Sequence, residues 1–187
     1  MITAICVASG PSVTKEDIEY IRGKGRVYTV NEMVFEVPFA HVAYAADYDW
    51  WDAYRGCPQF DGEKWCPCSN AANKWGLNQI PLKFNGIWGT DGEIASGGNS
   101  GFQALNLAVL QGAKRVILVG YDMGHKPDQP KHSFDPHRPP KIVRDSNYSK
   151  WIQHFHKAAP LIPVPVFNTS LDSNLECFQK IALRDII

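Results

Sequence analysis

Neither sign of charge predominates in this chain: 19 Lys and Arg stand against 19 Asp and Glu in 187 residues. Without a net field, nucleic acid or an anionic membrane surface is not an expected partner, and any anion has to be held by local geometry. No apolar run approaches membrane-spanning length, and the N-terminus lacks the basic-then-apolar pattern of a signal peptide. The expectation is a cytoplasmic protein without a membrane span. Cysteine is sparse and odd in number: Cys6, Cys57, Cys66, Cys68 and Cys177. That count, with Cys6 in an apolar opening segment, argues for a reduced protein rather than a disulfide scaffold. Cys57, Cys66 and Cys68 lack a paired C-x-x-C, so a zinc knuckle is a poor match and no metal ligand is assigned. A Walker loop and the G-x-G-x-x-G fingerprint are both missing, which argues against ATP bound by the usual loops. No internal repeat or low-complexity tract occurs, and the length suits one domain with its own core.

What is present centres on Gly97 to Met123. Gly97-Gly98-Asn99-Ser100-Gly101 precedes a helical pattern at Phe102, Leu105, Ala108 and Val109. Gly112 ends that helix, Val116 to Val119 reads as a strand buried on both faces, and Gly120-Tyr121-Asp122 leaves it. Backbone N–H groups at such a helix start favour an anionic ligand. The same pattern also describes an ordinary helix–strand unit of a parallel sheet.

The chain opens with an apolar strand, Ile2 to Ala8, that runs into Ser9-Gly10-Pro11-Ser12 and then a helix to about Arg22. Thr14 and Asp17 have capping-box spacing. A strand, a tight glycine turn and a helix start is the arrangement that sets phosphates at the end of a parallel strand. Arg26 to Val30 is a second strand ending on Asn31-Glu32, where the Asn either bonds a base or ribose or caps the next turn. His41 to Ala45 is a third, ending on Ala46-Asp47, with a helix from Tyr48 to Tyr54. In open α/β sheets the ligand crevice lies outside such strand ends, where the strand order switches. The stretch at about 55–94 reads as an irregular insertion with an edge strand near Gln79 to Phe84. Its tryptophans cover the core, an acceptor or a subunit interface, so a homo-oligomer is left open. A basic, proline-rich loop at about 124–145 holds His125, His132 and His137. A helix from Tyr148 to Ala159 and a strand from Val164 to Phe167 follow, the strand leading into Asn168 and Ser170 at the crevice.

Four of these segments together carry a resemblance: Ala8-Ser9-Gly10-Pro11-Ser12, Val30-Asn31, Asn99-Ser100-Gly101-Phe102, and Val119-Gly120-Tyr121-Asp122-Met123. They resemble the small bacterial CMP-sialic-acid-dependent sialyltransferases, and equally the related domain of MptE-like 6-hydroxymethylpterin pyrophosphokinases, phage-encoded members included. The ending from Asn168 to Ile181 is similar to those phage-encoded members. The resemblance implies a single Rossmann-like α/β domain over 1–187, an open and mostly parallel sheet with helices on both faces. It implies a nucleotide site formed by Ser9, Gly10, Pro11, Ser12, Asn31, Asp47, Asn99, Ser100, Gly101, Gly120 and Asp122. Gly10 and Ser12 would approach the phosphate, Asn31 the ribose or base, and Ser100-Gly101 the nucleotide from the facing helix. The sialyltransferase base is a loop histidine, for which His137 comes first and His132 second. The family's Asn in the first turn is Ser9 here, and the Asn after the third strand's Tyr is Ala45. Gly124 stands where the first phosphate-assisting Tyr is expected, and no Tyr occurs between Tyr121 and Tyr148.

Four chemistries fit. In the first, a glycosyltransferase takes a CMP-sugar as donor, His137 accepts the acceptor's proton, and Lys131, Arg138 and Lys141 neutralise the leaving phosphate. In the second, a diphosphotransferase uses ATP and magnesium held by Asp47, Asp122 and Asp135. The third is a noncatalytic nucleotide- or sugar-binding module, of the kind a phage accessory protein would be. In the fourth, His125, His132, Asp135 and His137 gather a transition metal.

Overall fold

Period-two alternation in the opening strand sets up the whole architecture. In β1, Thr3–Val7, Ala4 and Cys6 pack into one apolar cluster while Ile5 and Val7 pack into another on the opposite face. A strand apolar on both faces belongs in the middle of a parallel sheet covered on both sides. The computed structural model of the chain describes residues 2–124, 133 and 147–187. Its main sheet has eight strands, and every pairing is parallel. From β1 the chain runs through β2 (Arg26–Val30), β3 (Val42–Tyr44), β4 (Glu63–Cys66) and β5 (Asn78–Gln79), each added beside the last. It then crosses back. β8 (Arg115–Val119) pairs with the other side of β1, and β9 (Val166–Asn168) and β10 (Gln179–Lys180) extend the sheet outward. The order therefore reverses between β1 and β8. A separate two-stranded ribbon joins β6 (Leu82–Lys83) to β7 (Ile94–Ala95).

Helices α1 (Lys15–Tyr20), α2 (Met33–Glu36), α3 (Tyr48–Ala53), α4 (Ser69–Trp75) and α7 (Leu183–Ile186) cover the face of Ile5 and Val7. Helices α5 (Ser100–Leu110) and α6 (Tyr148–Ala158) cover the other. The Rossmann-like α/β fold is thus the one expected. The Thr14 capping box is formed: the Asp17 N–H donates to Thr14 Oγ1 at 3.0 Å and the Thr14 N–H to Asp17 Oδ2 at 3.2 Å. No helix among the described residues is long and apolar enough to cross a membrane.

The structure differs from the sequence expectation mainly within 55–94. That stretch supplies β4 and β5 to the main sheet and packs α4 against it, and of these the residue pattern shows neither β4 nor α4. The single strand expected from Gln79 to Phe84 is divided between β5 at the sheet edge and β6 in the ribbon. Pro81 lies at the break; it has no N–H to donate, and its carbonyl accepts from Ile94 to start the ribbon. Two buried side chains of α5 hold the ribbon to the sheet body, Gln103 through the Ser96 carbonyl at 2.7 Å and Asn106 through three bonds. Asn106 of α5 accepts from the Gly89 and Ala95 N–H groups, both at 2.9 Å, and donates to the Gly89 carbonyl at 3.1 Å.

Candidate functional site

The reversal of strand order between β1 and β8 opens a crevice at their carboxyl ends, as the geometry of doubly wound sheets requires. Two close backbone approaches shape its floor. The Gly10 N–H donates to the Gly120 carbonyl at 3.0 Å, and a Cβ at Gly10 would collide with that carbonyl and with the Asp122 carboxylate. Gly120 itself turns at φ 75°, and a Cβ there would strike the Ala8 carbonyl and Val13. Both positions thus need glycine for contact, and Gly120 for its backbone as well.

Above this floor is a cleft of about 870 Å³, within the usual range of roughly 300–1,000 Å³ for small-molecule sites. Of the residues read from the sequence, Ser9, Gly10, Asn31, Asp47, Asn99, Ser100, Gly101, Gly120 and Asp122 all line it. Pro11 and Ser12 do not. The Gly10 carbonyl accepts from the Val13 N–H at 3.2 Å, and this turn directs Ser12 into a smaller depression of about 210 Å³ beside Thr169 and Arg184. From there Ser12 reaches the site indirectly. Its hydroxyl donates to Asp122 Oδ2 at 2.8 Å and shares a 2.7 Å hydrogen bond with the Ser170 hydroxyl. Asn168 is buried, donating to the Tyr121 carbonyl at 3.3 Å, so the end of β9 braces the turn after β8 rather than lining the cleft.

Helix α5 points its first turn at the cleft. Asn99 caps it, its Oδ1 accepting the Phe102 N–H at 2.9 Å. The Ser100 and Gly101 N–H groups have no partner among the described residues and lie at the cleft wall. Two unpaired donors at the positive end of an eleven-residue helix form an anion-binding corner. The turn is locked from behind. Tyr121 donates to the Gly101 carbonyl at 3.0 Å, the Ala46 N–H donates to Ser100 Oγ at 3.4 Å, and Tyr44 donates to Gln103 Oε1 at 2.7 Å. β1, β3, β8 and α5 are in this way tied around one space.

The cleft carries three charged residues among those described, Glu32, Asp47 and Asp122, and all are acidic. Burial pushes the Asp122 carboxyl above its ordinary range, while the Ser12 and Ser170 hydroxyls pull it back in part. Asn31 ends β2 with φ 51°, an uncommon backbone for a residue other than glycine, and its side-chain amide has no partner among the described residues. Backbone strain of that kind gathers at binding sites.

Several lining residues were not legible as site residues, including Glu32, Trp50, Gln103, Phe84, Tyr148 and Trp151. For Glu32 a signal exists in the sequence, since it follows directly on the strand-terminal Asn31. For Phe84 the signal appears only in the structure, where it stands 77 % exposed at the cleft. The cysteines of the middle region do not converge on an ion: Cys66 donates to the Cys68 carbonyl at 3.3 Å, and no group of three or more metal-ligating side chains occurs among the described residues. His137 and His132, together with His125, Lys131, Asp135, Arg138 and Lys141, lie outside the described residues. Ser133, next in sequence to His132, is described, and its N–H donates to the Ser9 carbonyl at 2.9 Å.

No family model matches the chain, and no curated protein matches it in sequence. Among solved structures it is similar to the MAf glycosyltransferase from Magnetospirillum magneticum AMB-1, with 15% identity and a TM-score of 0.66, over 99% of this chain and 34% of that one. It thus spans about a third of that protein's length. It is also similar to the sialyltransferase CST-II, both as a variant in complex with CMP and in complex with a trisaccharide acceptor and CMP. Those two structures share 12% identity and a TM-score of 0.58 with this chain, covering 97% and 96% of it and 86% of CST-II in each case. The pyrophosphokinase side of the resemblance has no counterpart among these three. At such identities the shared property is the fold, and this chain has the Rossmann-like α/β fold of these glycosyltransferases.

Proposed function

We propose that the chain binds a CMP-sugar in the β1–β8 cleft and transfers the sugar to an acceptor hydroxyl. One observation carries the reading: Gly10, Asn31, Ser100, Gly101 and Gly120, spread over four segments of sequence, line one cleft at the switch point. Its support from outside the chain is that CST-II, on a fold of this kind, is seen with CMP. The phosphate belongs against the Ser100 and Gly101 N–H groups, unpaired donors at the start of an eleven-residue helix. In the reaction the acceptor oxygen bonds to the anomeric carbon as the bond to the phosphate oxygen breaks. The electron pair leaves with CMP, and the acceptor's proton passes to a histidine, His137 first and His132 second. The helix-start N–H groups then meet the charge that develops on the leaving phosphate.

A thermal-shift and calorimetric screen with CMP, CDP, ATP and CMP-sugars, with and without magnesium, tests this. The expected result is a rise in melting temperature with CMP that needs no metal, and hydrolysis of a CMP-sugar that His137→Ala abolishes. Binding of ATP only with magnesium would replace the reading with diphosphate transfer, in which Asp47 and Asp122 of the cleft would have to hold the ion. CMP binding without turnover would leave a binding module. Full turnover in His137→Ala would move the base assignment to His132.

A further inference from the structure

Resting on the nucleotide reading above, we propose that Glu32 recognises the ribose, so that the cleft selects ribonucleotides over 2′-deoxyribonucleotides. Three observations converge on this residue. It stands at the carboxyl end of β2, the strand next to β1, about twenty residues beyond Gly10. In doubly wound sheets an acid at that remove from the glycine turn accepts from ribose hydroxyls.

The carboxylate is also held in place on one side and vacant on the other. Trp50 Nε1 donates to Glu32 Oε1 at 3.1 Å and Tyr54 donates to the same oxygen at 3.5 Å. Those two rings pack on each other with centroids 4.9 Å apart, which fixes both donors. Glu32 Oε2 has no partner among the described residues, and Glu32 lines the cleft. An acceptor pinned through one oxygen offers the other at low entropic cost.

Charge supplies the third argument. A phosphate is repelled by the Glu32 carboxylate, and the unpaired Ser100 and Gly101 N–H groups at the start of α5 draw it there instead. A nucleotide oriented that way presents to the β2 end its neutral donors, the vicinal hydroxyls. A carboxylate accepts from both of them, whereas a carboxamide accepts through one oxygen only.

The experiment uses the full chain with CMP, 2′-deoxy-CMP and UMP, measured by calorimetry and by Trp fluorescence. A hydrogen bond to a charged group is worth about tenfold to a hundredfold in affinity, so the native protein is expected to prefer CMP to 2′-deoxy-CMP by at least about tenfold. Glu32→Gln retains an oxygen for Trp50. It is expected to keep the native melting temperature, weaken CMP, leave 2′-deoxy-CMP unchanged and bring the ratio to within about threefold. Equal binding of CMP and 2′-deoxy-CMP by the native protein overturns the proposal without any variant, and leaves the nucleotide reading intact. So does a Glu32→Gln protein that weakens both ligands alike. If the substitution instead changes the preference of CMP over UMP, Glu32 reads the base and the ribose assignment is wrong. Failure of all three ligands to bind the native protein removes the nucleotide reading itself, and this one with it.

Discussion

Replacing Asn106 with Ala tests whether one side chain fastens the β6–β7 ribbon to the sheet body. Asn106 is fully buried and makes three hydrogen bonds, to the Gly89 N–H, the Ala95 N–H and the Gly89 carbonyl. Truncation leaves two donors and one acceptor of the main chain without partners in a dry interior. Each such group costs about 1–3 kcal/mol when stranded, and a water entering the vacated space recovers part of that. The expected loss is about 3–5 kcal/mol, a large share of the roughly 5–15 kcal/mol that holds a domain folded. In urea, with a slope of about 2 kcal/mol per molar, the midpoint moves down by about 1.5–2.5 M. Native-state hydrogen exchange should show the Gly89 and Ala95 amides losing protection before the amides of β1 and β8. A loss below about 1 kcal/mol, or unchanged exchange at those two amides, would refute the reasoning and mean that apolar packing and the Gln103–Ser96 bond hold the ribbon without Asn106.

Two further outcomes follow from the crevice floor. Gly10→Ala forces a methyl onto the Gly120 carbonyl and the Asp122 carboxylate, and backbone overlap of this kind costs about 1–3 kcal/mol. Chemical denaturation checks the cost, and the variant should also lose its thermal response to CMP; a variant as stable and as responsive as the native protein would show the turn to be pliable. Asp122 has its carboxyl raised by burial above the ordinary 3.8. A group raised on folding contributes stability that is complete below its unfolded value and lost as pH rises through the folded one. Asp122→Asn removes that loss, so the stability of the variant relative to the native protein should climb as pH rises from 3.8 upward and then level off. A difference flat across that range in urea titrations would contradict it.

How much of this was legible beforehand depends on where each residue's stabilisation comes from. β1, β2, β8 and α5 are apolar on their own account, and their periodicities survive inspection of the bare chain. β4 does not announce itself, because Glu63-Lys64-Trp65-Cys66 reaches outward with its charges while the stems pack. Glu63 pairs with Arg26 at 2.6 Å, and Lys64 donates to the Gly56 and Cys57 carbonyls at 3.2 and 2.9 Å. The pair with Arg26 spans 37 residues, so no local window contains it. The cleft followed the same division. Its glycines, its helix start and Glu32 beside Asn31 carry local signatures, whereas Trp151 and Phe84 enter only through the packing of other elements. Ser12 shows the converse error, a residue in the right motif that a single turn carries to the far side of the floor.

The pairing of β1 with β8 joins segments 112 residues apart, as in the hydrogen bond from Arg115 to Thr3. On the ribosome, the first strand therefore emerges long before its neighbour has been synthesised. It has β2 to lean on, but the floor built from Gly10 and Gly120 has no precursor in any shorter nascent chain. Contacts so distant in sequence are the slow ones to form. The cleft is accordingly a late acquisition in the life of each molecule, and a fragment ending before residue 115 would have half a sheet and no crevice floor.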